Sequence, residues 1–189
     1  MLNFDFQIFQ LINDGFSNNF FDWLAPILRE KKTWIPLYIV LLVWTIFRYR
    51  QKAILFVLLA ILTVGASDFT ASSIVKPLVK RIRPCNNQSI ELLVHERIGC
   101  SGGYSFPSSH ASNHFALALF LALTVFRKNR AVKIAGFIWA TLIAFSQVYV
   151  GVHYPLDVFG GAIFGMLIAL IIFTISGKIW PEYINSIQR

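Results

Sequence analysis

Five stretches of the chain are apolar over roughly the length that crosses a bilayer's hydrocarbon core. They run over about 33–49, 53–75, 109–126, 131–150 and 157–176. Lipid offers no partners to a bare backbone, so such runs cross it as helices. The expected fold is all-α: a polytopic membrane helical bundle of about five transmembrane helices. Only 53–75 and 109–126 carry internal polar groups that need a reason. The opening segment differs. From Phe4 to Leu28 it is aromatic, but Asn13, Asp14, Gly15, Ser17, Asn18, Asn19 and Asp22 interrupt it. No window there crosses a bilayer without burying an acid, so residues 1–28 read as an interfacial amphipathic segment. No basic stretch precedes it, which argues against a cleaved signal peptide. No internal repeat or low-complexity tract stands out.

Composition agrees with the pattern. The 189 residues suit one domain, so 1–189 is expected to be a single integral-membrane unit. The chain is 56% hydrophobic and only 14% charged, whereas soluble domains are about a quarter charged. That excludes a disordered chain and argues against a soluble enzyme. The net charge of +8 invites a nucleic-acid reading until the cations are sorted by side. With five spans, one side holds Arg48, Arg50, Lys52, Arg127, Lys128, Arg130, Lys133, Lys178 and Arg189 against Glu182 alone. On the other side, Arg29, Lys31, Lys32, Lys76, Lys80, Arg81, Arg83 and Arg97 are balanced by eight acids. The tight loops around 48–52 and 127–133 concentrate cations beside span ends, which marks them as cytoplasmic. The N-terminal segment and the connection 76–108 then face outward. No soluble basic surface remains for nucleic acid. Cys85 and Cys100, the only cysteines, both fall in that outward connection. A disulfide there would close a loop of about 15 residues, worth roughly 3 kcal/mol; two unpaired thiols are the other reading.

Three polar groups collect at outward span ends. The first is Lys76 with Arg83-Pro84, where a cation pair at a helix exit suits an anion or simply snorkels to the lipid interface. The second is Pro107-Ser108-Ser109-His110, a helix start whose free N–H groups suit a phosphate, with Ser108 or Ser109 as cap. Ionisable groups at membrane depth are usually functional, which singles out His110. The third is His153-Tyr154-Pro155-Leu156-Asp157. Pro155 suits a first helical turn, placing Asp157 inside it. A carboxylate there would fix the His153 tautomer and leave one ring nitrogen free as nucleophile or base. A capping Asp beside an interfacial His is the plainer reading. Which histidine attacks stays open on these residues.

Together the three groups resemble the type 2 phosphatidic-acid phosphatase superfamily, whose signatures are K-x6-R-P, P-S-G-H and S-R-x5-H-x3-D in that order. Here they read Lys76 with Arg83-Pro84, Pro107-Ser108 with His110, and Ser146 with His153 and Asp157. The likeness spans about 53–176. It implies that His153 attacks phosphorus to form a phosphohistidine, that Asp157 orients it, and that His110 protonates the leaving oxygen. It implies phosphate binding by Lys76, Arg83, Ser108 and the Ser109 N–H. Two positions depart from the pattern. Ser109 replaces the usual Gly, and Gln147 replaces the usual Arg after Ser146, keeping a hydrogen-bond donor for phosphate binding but removing one cation from the site. Lys80 or Arg81 is the candidate substitute.

The resemblance also implies a metal-independent enzyme without cofactors, embedded in a bacterial inner membrane with its site facing the periplasm. Its substrate would be a lipid phosphate or diphosphate: phosphatidic acid, phosphatidylglycerophosphate, a prenyl diphosphate or a lipid A phosphate. Two other readings stand beside it. His110, His114, His153 and Asp157 would make a plausible zinc set. Asp68, Thr70, Ser72 and Ser73 could line a transport path, or Asp68 could be a satisfied acid supporting the site. His95 has no motif partner and is expected to be exposed. Oligomeric state is not readable.

Overall fold

The computed structural model describes residues 3–100 and 102–188; Arg189, counted above on the cytoplasmic side, lies outside them. Among the described residues every regular element is helical: α1 Asn3–Gln10, α2 Asn19–Arg29, α3 Ile35–Tyr49, α4 Lys52–Phe69, α5 Lys76–Val79, α6 Ser109–Leu123, α7 Arg130–Tyr149, α8 Pro155–Ile179 and α9 Pro181–Ile187. A π-helical turn over Thr70–Val75 joins α4 to α5, making one continuous helix of 28 residues, Lys52–Val79. Short polar side chains set several boundaries. Asn18, Ser108 and Asn129 cap α2, α6 and α7 by accepting from Phe21, Ala111 and Val132 backbone N–H groups. Pro155 opens α8, and the Asp157 carboxylate accepts from the Tyr154 N–H at 2.8 Å.

All five apolar stretches are helices, though not of equal reach. Lys52–Val79, Arg130–Tyr149 and Pro155–Ile179 are long and apolar enough to cross a membrane. Helices α3 and α6 have 15 residues each, about 22 Å at 1.5 Å per residue. The chain is an integral membrane protein, and its surface fits that setting. Ile54, Leu58 and Ile61 on α4, and Ile163, Leu167 and Leu170 on α8, are all exposed, as an outer face toward lipid tails requires.

Helix α6 forms the centre, packed on α4, α7 and α8. Many of its inward positions are small: Ala111, Ala116, Ala118 and Ala122 are buried. Opposite them, α8 offers Gly161 and Gly165. A Cβ on Gly165 would lie 1.9 Å from the Ser112 carbonyl oxygen, so α6 and α8 meet backbone to backbone, the way small residues bring membrane helices together. At the other end, Phe56, Leu59, Phe120, Ile184 and Ile187 form an apolar cluster that seats α9.

Several polar groups inside the spans are satisfied locally. Thr70 Oγ1 donates to the Ala66 carbonyl and Ser72 Oγ to that of Asp68, while Asp68 accepts from Asn113 Nδ2 at 2.7 Å. Thr70 and Ser72 thus bond back onto their own helix, and the Asp68–Asn113 bond ties α4 to α6. The N-terminal segment is built as α1, a π-turn over Leu11–Gly15, and α2. It has an exposed aromatic face (Phe4, Phe20, Trp23) and an inner face with Asp5, Phe9, Asn13 and Ala25 buried.

That inner face fastens the long connection. Asn13 Nδ2 donates to the His95 and Tyr149 carbonyls at 2.9 and 2.8 Å, and its Oδ1 accepts from the His95 N–H at 2.8 Å. Arg97 pairs with Asp22 and stacks 4.0 Å over the Tyr149 ring. His95 is indeed exposed but is not unpartnered, since its Nε2 meets Asp14 at 3.0 Å. Within the connection, Cys85 and Cys100 are joined by a disulfide with Cα atoms 5.9 Å apart.

Candidate active site

His153 stands on the turn between α7 and α8. Gly151 makes that turn possible at φ +88°, with His95 O only 3.2 Å from where a Cβ would sit. The Gln147 carbonyl then accepts from both the Val152 and His153 N–H groups, at 3.2 and 3.3 Å. The ring is buried and held on both sides. Arg83 Nη1 lies 3.2 Å from His153 Nε2 and also donates to the Val152 carbonyl at 3.2 Å. A guanidinium can only donate, so Nε2 carries a lone pair. The proton is then on Nδ1, which faces Asp157 Oδ2 at 3.5 Å and Ser105 Oγ at 3.4 Å. Burial pushes the imidazole down to about 4, opposed by its bond to Asp157. His153 is therefore neutral near pH 7 with its lone pair on Nε2.

Asp157 is fully buried and fully used. Oδ2 accepts from the Tyr154 N–H and from Ser105 Oγ, and Oδ1 accepts from Arg81 Nη1 at 2.7 Å. Arg81 in turn binds Asp5 through Nη2 and lies 4.3 Å over the Tyr154 ring. Asp5 also accepts from the Leu156 N–H at 2.9 Å. The cation expected to replace a missing phosphate ligand is thus clamped between two carboxylates. Lys80, the other candidate, is exposed at a left-handed residue (φ 54°) that ends α5.

Around the histidine the other predicted residues gather. Lys76 lies close enough for its charge to act on His153, Arg83 and Asp157. Arg83 is buried, with Nε donating to the Gly103 carbonyl at 3.3 Å. Ser108, not Ser109, caps α6, and its N–H donates to the Asp157 carbonyl at 2.9 Å, tying the start of α6 to α8. Ser109 and His110 occupy the first turn, where backbone N–H groups have no carbonyl four residues back. His110 is half-buried, within electrostatic range of His153.

His110 also lines a cavity of about 700 Å³ that runs between α3, α4 and α6, past Tyr38, Phe56, Asp68 and Trp44, with Lys31 on its wall. His114 is occupied elsewhere: Nδ1 bonds the His110 carbonyl at 2.7 Å, and Nε2 meets the Tyr38 hydroxyl at 3.3 Å. The zinc set proposed from spacing does not assemble, because among the described residues no three His, Cys, Asp or Glu side chains converge. Gln147 is fully buried on α7; its Oε1 accepts from Arg29 Nε at 3.4 Å, and its Nε2 has no partner.

Sequence reasoning missed Asp5, Ser105 and Arg29. Ser105 sits between two motifs and belongs to neither. Asp5 lies in the segment read for its amphipathicity, and Arg29, just past it, counts in the sequence only as one of the outward cations.

Comparison with known proteins fits this geometry. Residues 53–181 match the sequence profile of the PAP2 superfamily. A lipid A 4'-phosphatase of Bacteroides thetaiotaomicron is 36% identical over 166 residues, covering 85% of this chain and 72% of that protein. An undecaprenyl-diphosphatase of Sulfolobus acidocaldarius is 30% identical, covering 90% of this chain and 77% of its own length. The fold aligns with the crystal structure of Aquifex aeolicus LpxE at a TM-score of 0.70 and 24% identity, over 92% of this chain and 96% of that one. The ordered motifs, the oriented His153 and a profile match over most of the chain lead to one conclusion: this membrane protein belongs to the PAP2 superfamily.

Proposed function

We propose that the chain is a metal-independent membrane phosphatase that releases phosphate from a lipid phosphate or diphosphate. One observation carries the reading: a neutral, buried His153 whose Nε2 lone pair meets Arg83 at 3.2 Å while Nδ1 faces Asp157. In the first step Nε2 attacks phosphorus and the bond to the lipid oxygen breaks. That oxygen takes a proton from His110, leaving a phosphohistidine whose growing imidazolium character Asp157 stabilises. In the second step His110, now a base, takes a proton from water; the water oxygen attacks phosphorus, the P–N bond breaks and inorganic phosphate leaves. Lys76, Arg83 and the first turn of α6 hold the phosphoryl oxygens, with Ser108 fixing that turn.

The cavity that His110 lines suits an apolar tail, which would set the leaving oxygen beside its proton donor. The activities of the relatives, on lipid A and undecaprenyl diphosphate, support an amphiphilic phosphate as substrate. In this reading five helices cross a bacterial inner membrane, with α3 and α6 as shorter spans. The N-terminal helices lie at the outer interface, and the 48–52 and 127–133 loops face the cytoplasm, so the site opens toward the periplasm.

The test is phosphate release from a panel of lipid phosphates by purified protein in detergent, with and without EDTA. His153→Ala should abolish release while leaving the melting transition in place. The wild type should give an acid-labile, alkali-stable phosphoenzyme. Wild-type turnover by His153→Ala would sink the mechanism, and loss of activity in EDTA restored by zinc would replace it with a metal-dependent one.

A further inference from the structure

Charge balance at the site is incomplete without one more residue. A phosphate monoester brings about two negative charges near neutral pH. Of the cations around His153, Arg81 is neutralised by Asp5 and Asp157 on its two terminal nitrogens. Counting Lys76, Arg81 and Arg83 against those two carboxylates leaves one net positive charge for a dianion.

Arg29, the last residue of α2, is a cation that none of the motifs assigns. Its Nε donates to Gln147 Oε1 at 3.4 Å, and Gln147 is the residue whose carbonyl anchors the His153 N–H. The Arg29 charge acts on both Arg83 and His110; the carboxylate acting on it is that of its neighbour Glu30, and among the described residues none forms an ion pair with it. Two residues on, Lys31 lines the same cavity wall as His110, so the end of α2 borders the reaction centre. Gln147 is wholly buried, and its Nε2 lacks any partner. Such an orphaned donor is expensive to bury, unless a bound anion accepts from it.

We propose that Arg29 is a phosphate-binding residue, held by Gln147 so that its guanidinium and the Gln147 amide together receive one phosphoryl oxygen pair. The cation that the sequence lacks at position 147 is thereby supplied from the N-terminal segment. With Arg29 included, the site carries two net positive charges and matches the dianion. The fork geometry of a guanidinium also lets Arg29 keep its Gln147 bond through Nε while Nη groups face the oxygens.

The inference rests on the phosphatase reading above. It is tested on the full chain in detergent by kcat/KM for a lipid phosphate and by competitive inhibition with inorganic phosphate. Arg29→Gln should lower kcat/KM by about 10- to 100-fold, the size expected for one charge-assisted bond, and weaken phosphate inhibition comparably. Adding Gln147→Arg to that variant should recover at least tenfold of the loss, and Arg29→Lys should fall between. Should Arg29→Gln melt early, the Arg29→Lys and Arg29→Gln/Gln147→Arg proteins decide the matter. Arg29→Gln within twofold of wild type on both measures overturns the proposal. So does a fall in turnover and melting temperature with phosphate inhibition unchanged, which marks a structural role. Absence of wild-type turnover on every lipid phosphate would instead defeat the underlying phosphatase reading.

Discussion

Adding a single methyl group at Gly165 tests the idea that backbone contact between α6 and α8 holds the site together. Its Cβ would lie 1.9 Å from the Ser112 oxygen and 2.7 Å from the carbonyl carbon. Ordinary contact begins near 3.4 Å, so the two backbones must part by about 1.5 Å. Neither partner is a flexible side-chain tip that could swing aside. Overpacking of this kind costs roughly 1–3 kcal/mol, even though Ala is favoured over Gly in a helix by about 1 kcal/mol. For a domain of this size the melting temperature should fall by roughly 2–12 °C. Gly177→Ala, on the same helix with nothing within 4 Å of its Cβ position, receives the propensity gain without the clash and should melt at or above the wild type. The assay is thermal unfolding in one detergent, followed by circular dichroism. Equal melting temperatures for the two alanine variants would refute the reasoning. Because Ser108 on α6 is tied to Asp157 on α8, Gly165→Ala should also lose activity at temperatures where it stays folded. A displacement near 1 Å costs about a hundredfold in rate.

Further outcomes follow from the charges and the covalent link. Neutral His153 is the attacking form, and burial holds it at about 4 against an ordinary 6.5. The His153-dependent loss of kcat/KM should therefore come only as pH falls through about 4; titration of that ring by NMR near 6.5 would contradict this. The same shift makes the native state bind this proton less readily than the unfolded chain, so stability should decline as pH drops from 6.5 toward 4, by roughly 3 kcal/mol. Asp5→Ala leaves Arg81 partly uncompensated and the Leu156 N–H unpaired. Denaturation in detergent should show a loss of about 3–5 kcal/mol, with kcat reduced more than KM is raised. Cys85→Ser with Cys100→Ser opens a link across 15 residues and should lower stability by about 3 kcal/mol.

The helices were legible in the sequence because lipid imposes one requirement, a long apolar run, on each span. The boundaries were less so. Span two continues past residue 75 to Val79 because Lys76 and Pro77 are accommodated at the head of the final turn, where hydropathy had already fallen. The polar interruptions of the first 28 residues break the apolar run, so hydropathy predicts no span there. What hydropathy left out is what those groups do instead: Asp5, Asn13 and Asp22 each hold a residue at least 75 positions away. Lys76, Arg83, His110, His153 and Asp157 were picked out by motif spacing, and the fold brings them to one end of the bundle. Arg81 was visible as a cation, but its employment by two carboxylates depends on α1 folding back over α8. Local sequence carries no trace of that docking, because neither acid has a patterned relation to its partner.

Asp5, Arg81 and Asp157 also have an order in time. The ribosome makes them near the beginning, the middle and the last fifth of the chain, and the bonds from Asp5 to the Leu156 N–H and from Arg81 to Asp157 span 151 and 76 residues. Until α8 has been synthesised and inserted, Arg81 can meet only Asp5, and no carboxylate exists to orient a histidine. A chain stalled before that point would hold its cations in place yet lack the carboxylate that orients its nucleophile. Hydrolytic competence therefore arrives in one late step, when the final long helix closes onto a waiting ion pair, and immature chains in the membrane remain inert.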